Sequence, residues 1–347
     1  MVMLDVSGVR RVFGDGTVGL EGVDVAVERG ELVAVVGPSG SGKTTLLRVI
    51  AGLDTPDTGT VSLRGIDVTA AEARDRNIAM VFQDRIIYPR RNVKRMISFP
   101  LELRGTPREE LDNRVEVEAG VLGIRSLLEW DPALLSAGHQ QAVQTAKALV
   151  GRPDLYLFDE PLSRLDTAHR ALVRREFRTL QTGYGIAAVW VTNDREEALA
   201  ICDRMVVLDK GAVVADGPPD ELYERPGSMF VATFISDMDL IDVPVSGDRL
   251  MIGAGSVHCW WPGLSAYERV VVGLRPEKLD IDDSGVAGVV DHVEFMGDHY
   301  LVHVALGDRV VRVKSSSALE GRVGVAIDPQ SIHLFDPATG EALLHPV

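Results

Sequence analysis

Nine consecutive residues restrict this chain more than any others: Gly37-Pro38-Ser39-Gly40-Ser41-Gly42-Lys43-Thr44-Thr45. They follow Leu32 to Val36, an apolar pentad that reads as a buried parallel strand. They lead into Lys43 to Leu53, whose pattern predicts a helix. The run satisfies G-x-x-x-x-G-K-[ST]. Glycines let backbone N–H groups close around a polyphosphate. A helix starting near Lys43 turns its positive end toward the anion. Lys43 adds a point charge for the β and γ phosphates, and Thr44 a hydroxyl for magnesium. A glycine-rich turn of no function is the alternative; nine matching residues between a strand and a helix argue against it.

A second run, Leu155-Tyr156-Leu157-Phe158-Asp159-Glu160, is an apolar strand ending in two carboxylates. Asp159 is placed to hold magnesium, directly or through water, and Glu160 to polarise an attacking water. Alone, such a run reads as a capped strand end. Behind a phosphate loop, and followed by Pro161, Leu162, Ser163, Leu165 and Asp166, it predicts nucleotide hydrolysis.

The 347 residues carry a formal net charge of −15. The length allows a large domain and a smaller one. An acidic chain repels nucleic-acid phosphates unless a basic face is set apart, and the sequence has none. Residues 237 to 347 hold 17 acidic and 8 basic side chains, so Trp260, Trp261 and Tyr267 do not read as a nucleic-acid platform. No apolar run approaches the ~18 residues of a membrane span. Met1 to Arg11 lacks the apolar core of a secretory signal. The chain is therefore expected to be soluble and internal. Cys202 and Cys259 match no metal or redox spacing and read as packing residues.

Val2 to Phe13 and Thr17 to Val27 alternate apolar and polar residues, with Gly14 and Gly16 marking a turn. Residues 94 to 130 change character. Leu101, Leu103, Leu111, Val115, Val121 and Leu122 recur at helical spacing, punctuated by Pro100, Gly105 and Pro107. This predicts a helical insertion. Strands then follow at Leu155 to Phe158, Ala187 to Thr192, Met205 to Leu208 and Ala212 to Ala215, with helices at Asp166 to Leu180 and Arg195 to Cys202. Beyond Ser236 only strands are predicted: Val270 to Leu274, Val286 to Val293, Leu301 to Leu306, Arg309 to Lys314 and Gly324 to Ile327. Glycines separate them, as in a small barrel or sandwich.

Together these residues resemble the ABC ATPases, and within them the subgroup serving maltose, other sugars and glycerol phosphate. The resemblance covers nearly the whole chain. VGPSGSGKTTLLRVIAGL, Val36 to Leu53, resembles that family's phosphate-loop segment. RNIAMVFQ, Arg76 to Gln83, resembles its Q-loop strand, with Tyr88-Pro89 after it. Ser163 to Asp166 resembles the D-loop, and ELYERP, Glu221 to Pro226, is similar to the helix that closes the domain. GLRPE, Gly273 to Glu277, resembles the start of an OB-like regulatory region of TOBE type. The implied fold is an α/β P-loop NTPase of ABC type over 1–235, with a helical subdomain at about 90–150, and an all-β OB-like domain over 236–347.

The resemblance also implies the site. Ser39, Gly40, Ser41, Gly42, Lys43, Thr44 and Thr45 would hold ATP, and Thr44, Gln83 and Asp159 would hold Mg2+. Glu160, Gln83 and Asn193 would carry catalysis. Phe13 falls where the family stacks an aromatic on adenine, although an aromatic ending a strand also serves as core.

Two departures stand out. Leu135-Ser136-Ala137-Gly138-His139 occupies the place of the family's LSGGQ. Ser136 and Gly138 keep a hydroxyl and a close backbone approach to a neighbouring chain's ATP. Ala137 adds a methyl, and His139 puts an imidazole in place of an amide. Ala142 and Lys147 each stand where the family usually has arginine. In Val191-Thr192-Asn193-Asp194, Asn193 replaces the switch histidine. It can donate a hydrogen bond but cannot carry positive charge. Loss of one charge-stabilising donor at a phosphoryl transition state lowers the rate ~10²-fold or more, unless asparagine substitutes.

ABC ATPases pair head to tail, so a homodimer of this chain would carry both departures in both sites. The chain resembles the degenerate member of a heterodimer, its partner being a second, different ATPase subunit. Two membrane permease subunits and an extracytoplasmic substrate-binding protein are the other implied partners, with this chain peripheral on the cytoplasmic face of the membrane. Arg85, Arg90 and Arg91 are candidates to receive a permease helix; a basic cluster is also simply a solvated face. The expected function is an ATP-hydrolysing subunit of an importer for a sugar or related polyol. The alternative is a regulatory nucleotide-binding subunit with little hydrolysis. ABC proteins acting on ribosomes or DNA usually carry two cassettes or a coiled-coil insertion, and neither is present.

Overall fold

The computed structural model describes residues 1–82, 91–163 and 167–345, with the backbone alone at 137, 167–169, 172 and 176. Gln83, Arg85, Tyr88, Pro89, Arg90, Leu165 and Asp166 lie outside the described residues. The chain divides into two compact units, Met1–Pro219 and Asp220–Val347. The seam read from the sequence, between 235 and 236, follows the loss of helical pattern. Contacts instead assign the helix Met229–Ser236 to the second unit, where Met229 N donates to Gly340 O at 2.8 Å.

The first unit contains two sheets among its described residues. One is antiparallel, in the order Val18–Glu28, Val2–Val12, Thr58–Leu63, Ile66–Asp67. The other runs Ala212–Gly217, Arg204–Asp209, Leu32–Val36, Ala187–Val191, Leu155–Asp159, Ile78–Val81. Its neighbours are parallel except at Ala212–Gly217. Leu32–Val36, Leu155–Asp159 and Ala187–Val191 are buried at every residue, as strands covered on both faces must be. Parallel strands end on one edge of the sheet. Gly37, Glu160 and Thr192-Asn193 therefore emerge side by side from three adjacent strands, where open α/β sheets place their ligands.

The helix Lys43–Ala51 buries Leu46, Leu47, Val49 and Ile50 in a core shared by both sheets. Truncating any one of these leucines to alanine would destabilise by ~2–5 kcal/mol. The opposite face of the parallel sheet packs Phe158, Phe177 and Trp190 ring against ring, at centroid distances of 4.7 to 5.1 Å. Cys202 packs there too, and burial pushes its thiol up to about 12.

Val93–Leu103, Arg108–Val121 and Ala137–Leu149 form the helical insertion around its own core. Leu101, Leu111 and Val115 are buried, and Leu122 is half-buried. Leu103 and Val121 are exposed. Leu103 is two residues past Leu101, and Val121 six past Val115. At ~100° per residue both spacings turn the side chain off the core face.

The second unit packs two antiparallel sheets around one core. The first has the order Gly255–His258, Arg249–Ile252, Asp239–Ser246, Arg269–Leu274, His333–Phe335, Ala342–Leu344. The second has the order Arg309–Ser315, Tyr300–Leu306, Leu279–Phe295, Arg322–Ile327. The strand expected at Val286 to Val293 is longer, because a register shift between Ile281 and Val286 joins two segments into one 17-residue strand. Cys259 is buried in this core. Among the described residues no helix is long and apolar enough to cross a membrane.

Candidate nucleotide site

The loop after Leu32–Val36 is held by close backbone packing. A Cβ at Gly37, where φ is 154°, would lie 2.1 Å from the Leu208 carbonyl oxygen. Gly42 has φ of 104°, and a Cβ there would lie 2.4 Å from the Gly19 carbonyl oxygen. Gly19 is equally confined: its Cβ would lie 2.7 Å from the Phe13 ring and 3.1 Å from Thr45 Cγ2. The helix Lys43–Ala51 begins with no side-chain cap and no acid in its first turn. Its leading N–H groups are thus left for an anion.

Lys43 is buried, and its Nζ donates to the carbonyls of Gly37 and Pro38, each at 2.8 Å. Two of its three donors brace the loop, which leaves one for a phosphate. Burial holds its ammonium below the ordinary lysine value, while Glu160 and Asp159 pull it back up. Thr44 Oγ1 donates to Asp159 Oδ1 at 3.3 Å. Burial raises the Asp159 carboxyl, and the Thr44 bond opposes that rise. A hydroxyl and a carboxylate oxygen this close are a donor set suited to one small hard cation that keeps several waters.

Glu160 sits at φ 45°, left-handed for a residue with a side chain. Its N–H donates to Val191 O at 2.9 Å, and its carbonyl accepts from Ser163 Oγ at 2.9 Å. These bonds hold the turn against its strain. Asn193 Nδ2 donates to the Glu160 carboxylate. Asp194 N donates to Thr192 Oγ1 at 3.1 Å, and the Asp194 side chain caps the helix Arg195–Ile201, which fixes the turn carrying Asn193.

Phe13, Ser39, Gly40, Gly42, Lys43, Thr44, Thr45, Glu160 and Asn193 line one cavity of about 360 Å³. Ser41 does not. It lies beneath the loop, buried, with its N–H on Pro38 O at 3.2 Å and its carbonyl accepting from Gly211 N at 3.0 Å. Thr17, Val18 and Gly19 complete the lining, and their alternating pattern in sequence gave no hint of it. Arg76 is a support that a charge within RNIAMVFQ does not betray. Its buried guanidinium donates to Val49 O at 2.8 Å and Ile50 O at 2.9 Å, closing the far end of the loop's helix. Arg91 is already engaged, over the Phe99 ring at 4.6 Å and 3.5 Å from Glu102.

Ser136 and Gly138 are not brought to this cavity. Ser136 caps Ala137–Leu149, its Oγ accepting from His139 N at 3.3 Å. With Gly138 and His139 it lines a different cavity of about 330 Å³, floored by Phe158, Phe177 and Trp190. The two linings share no residue.

Residues 20–163 match the ABC transporter family and residues 272–335 the TOBE domain. The chain is 37% identical over 355 residues to an sn-glycerol-3-phosphate import ATP-binding protein, UgpC 2, of Agrobacterium fabrum, covering 99% of this chain and 95% of that protein. It is 39% identical over 344 residues to the sulfoquinovosyl glycerol transport ATP-binding protein SmoE of the same organism, covering 94% of this chain and 95% of SmoE. Among solved structures it is similar to CbiO1 of Clostridium perfringens, part of the ABC transporter complex CbiONQ. The TM-score is 0.61 at 27% identity, over 65% of this chain and 91% of that one. A phosphate loop, adjacent carboxylates and a TOBE domain in this order, with such identity along nearly the whole length, are decisive: the chain belongs to the ABC transporter ATP-binding proteins and is an ATPase.

Proposed function

We propose that this chain hydrolyses ATP to drive an importer of a sugar or related polyol, of the glycerol-phosphate or glycosyl-glycerol type carried by its relatives' systems. The observation that carries the hydrolytic reading is the Asn193–Glu160 hydrogen bond at the rim of the Lys43 cavity. Phe13 stacks on the base. Ser39, Gly40, Gly42, Lys43, Thr44 and Thr45 hold the phosphates, and Thr44 and Asp159 would hold Mg2+, whose charge would offset that of the phosphates. Glu160 takes the proton of the attacking water. Asn193 orients that carboxylate and donates toward the γ-phosphate, without the charge a histidine would supply. Gln83 lies outside the described residues, and its part in catalysis and in holding Mg2+ is assigned from the resemblance alone.

Ser136 and Gly138 line a cavity separate from that of Lys43, which supports their serving the site of a second chain. We assign that partner to a different ATPase subunit with a regular switch histidine. Self-pairing would set Asn193 against Ala137 and His139 in both sites. Two permeases and an extracytoplasmic binding protein complete the assembly, with this chain at the cytoplasmic face and residues 236–347 regulatory. The asparagine also favours a second reading, a nucleotide-binding subunit that barely hydrolyses. Affinity purification of the tagged chain from its native cells decides among these. We expect permeases, a second ATPase and ATP turnover in the complex. Two copies of this chain with brisk turnover and no second ATPase would overturn the asymmetric assembly. Turnover that survives Glu160→Gln would assign hydrolysis to the partner alone.

A further inference from the structure

A side-chain cluster in the second unit is not among the residues that line the Lys43 cavity. His292 and Glu294 lie two residues apart on Leu279–Phe295, so both project from one face of the sheet. His303, on Tyr300–Leu306, is the registered cross-strand partner of His292. The pairing stacks their imidazoles with 3.8 Å between centroids and 19° between planes. Glu294 Oε1 lies 3.4 Å from His292 Nε2 and 3.0 Å from His303 Nε2. At its other nitrogen, His292 Nδ1 is 2.9 Å from Asp291 Oδ2, which orients the ring and leaves Nε2 toward Glu294. His303 Nε2 is buried and makes no hydrogen bond, not even to the carboxylate beside it. Two imidazole nitrogens and a carboxylate oxygen thus converge, and the His303 nitrogen is shut off from water with only that carboxylate beside it.

We propose that His292 Nε2, Glu294 Oε1 and His303 Nε2 bind a divalent ion of the zinc class, with water in the fourth position. Ligands at 2.0–2.2 Å in a tetrahedron lie about 3.3–3.6 Å apart, close to the separations from Glu294 to the two imidazoles. Two imidazoles select zinc, nickel or copper over magnesium and calcium, which prefer oxygen throughout. Asp291 supplies the outer carboxylate that metal-binding histidines usually carry. The ion would tie together the two strands of a hairpin whose tip exposes Phe295 and Met296.

The test uses the full-length chain, treated with chelator and then titrated with zinc chloride and separately with cobalt chloride. Zinc should bind at one per chain, and cobalt should give the visible absorption of a tetrahedral N/O site. His292→Ala and Glu294→Gln replace exposed side chains, so both variants should fold, as circular dichroism will verify. Each should lose the cobalt band and weaken zinc binding at least tenfold, and Asp291→Asn should weaken it ~10-fold or more. The wild-type affinity for ATP should not change. An absence of stoichiometric zinc in the wild type, or equal binding by His292→Ala and Glu294→Gln, would show that the cluster is an ion-paired surface network and overturn the proposal.

Discussion

The side-chain amide of Asn193 donates a hydrogen bond to the carboxylate of Glu160, across the ends of two adjacent parallel strands. The amide fixes where the carboxylate points and adds no charge of its own. If charge at this position limits the rate, Asn193→His should raise ATP turnover in the assembled complex ~10-fold or more. Phosphate release measured with the permeases present is the assay. A flat or lower rate would mean that the site has adapted around asparagine.

Glu160→Gln keeps the shape and the bond from Asn193 but removes the proton acceptor. Turnover at this chain's own site should fall ~10²- to 10⁴-fold. ATP affinity should stay near the wild-type value. Equal losses in binding and turnover would instead assign Glu160 a structural role.

Lys43→Ala removes both the braces to Gly37 and Pro38 and the remaining donor. Affinity for ATP should fall ~10- to 10²-fold or more, the worth of a charge-assisted bond and a loosened loop. A titration at fixed magnesium that returned the wild-type affinity would remove Lys43 from the phosphate site.

Asp159→Asn leaves Thr44 with an amide in place of a carboxylate. The magnesium concentration for half-maximal turnover should rise ~10-fold or more, since even outer-shell partners of a metal matter on that scale. An unchanged magnesium dependence would count against the Thr44–Asp159 pair as the cation site.

His333 lies in the core of the second unit, fully buried, and burial with Arg275 and His345 nearby lowers its pKa to about 3. Its stabilising effect, as a neutral ring, is complete above the unfolded value near 6.5. As pH falls from there toward 3, the unfolded chain takes up a proton that the native ring refuses. Stability should drop by ~1.4 kcal/mol per pH unit from this residue. His333→Leu should flatten that slope between pH 6 and 4 in thermal melts of the second unit's transition. An unaltered slope would mean that His333 titrates freely in the fold.

What could be read in advance was what is local in sequence. The phosphate loop and the strand before Asp159 are contiguous and strongly patterned, and each appears where its pattern puts it. Leu103 and Val121 lie in helices as their spacing indicates but face solvent, because apolar residues near a helix end can keep the periodicity without reaching the core. Asp239–Ser246, Arg249–Ile252 and Gly255–His258 escaped because aspartates, Pro244 and glycines interrupt their apolar pattern, and their pairing is set by other strands. Asp239–Ser246, for instance, pairs with Arg269–Leu274. The buried role of Arg76 depends on helix carbonyls that arrive from 26 and 27 residues away. Ser41 belonged to the right motif but the wrong side of the loop. A motif gives membership, and only the backbone trace decides which side chain faces the cavity.

The contact of Gly42 with the Gly19 carbonyl, and of Gly19 with Phe13 and Thr45, has a consequence for how such a site can change. The Phe13 ring, the outer strand and the loop meet through two residues that have no side chain to trim. A side chain at Gly42 would press on the Gly19 carbonyl, and one at Gly19 on both the Phe13 ring and Thr45. On the proposed reading of Phe13 as the surface on which the base stacks, preference for a base and grip on its phosphates would not be separately adjustable here. A variant selected for a different nucleobase through this junction should show altered affinity for the triphosphate as well, and drift in one property would drag the other with it.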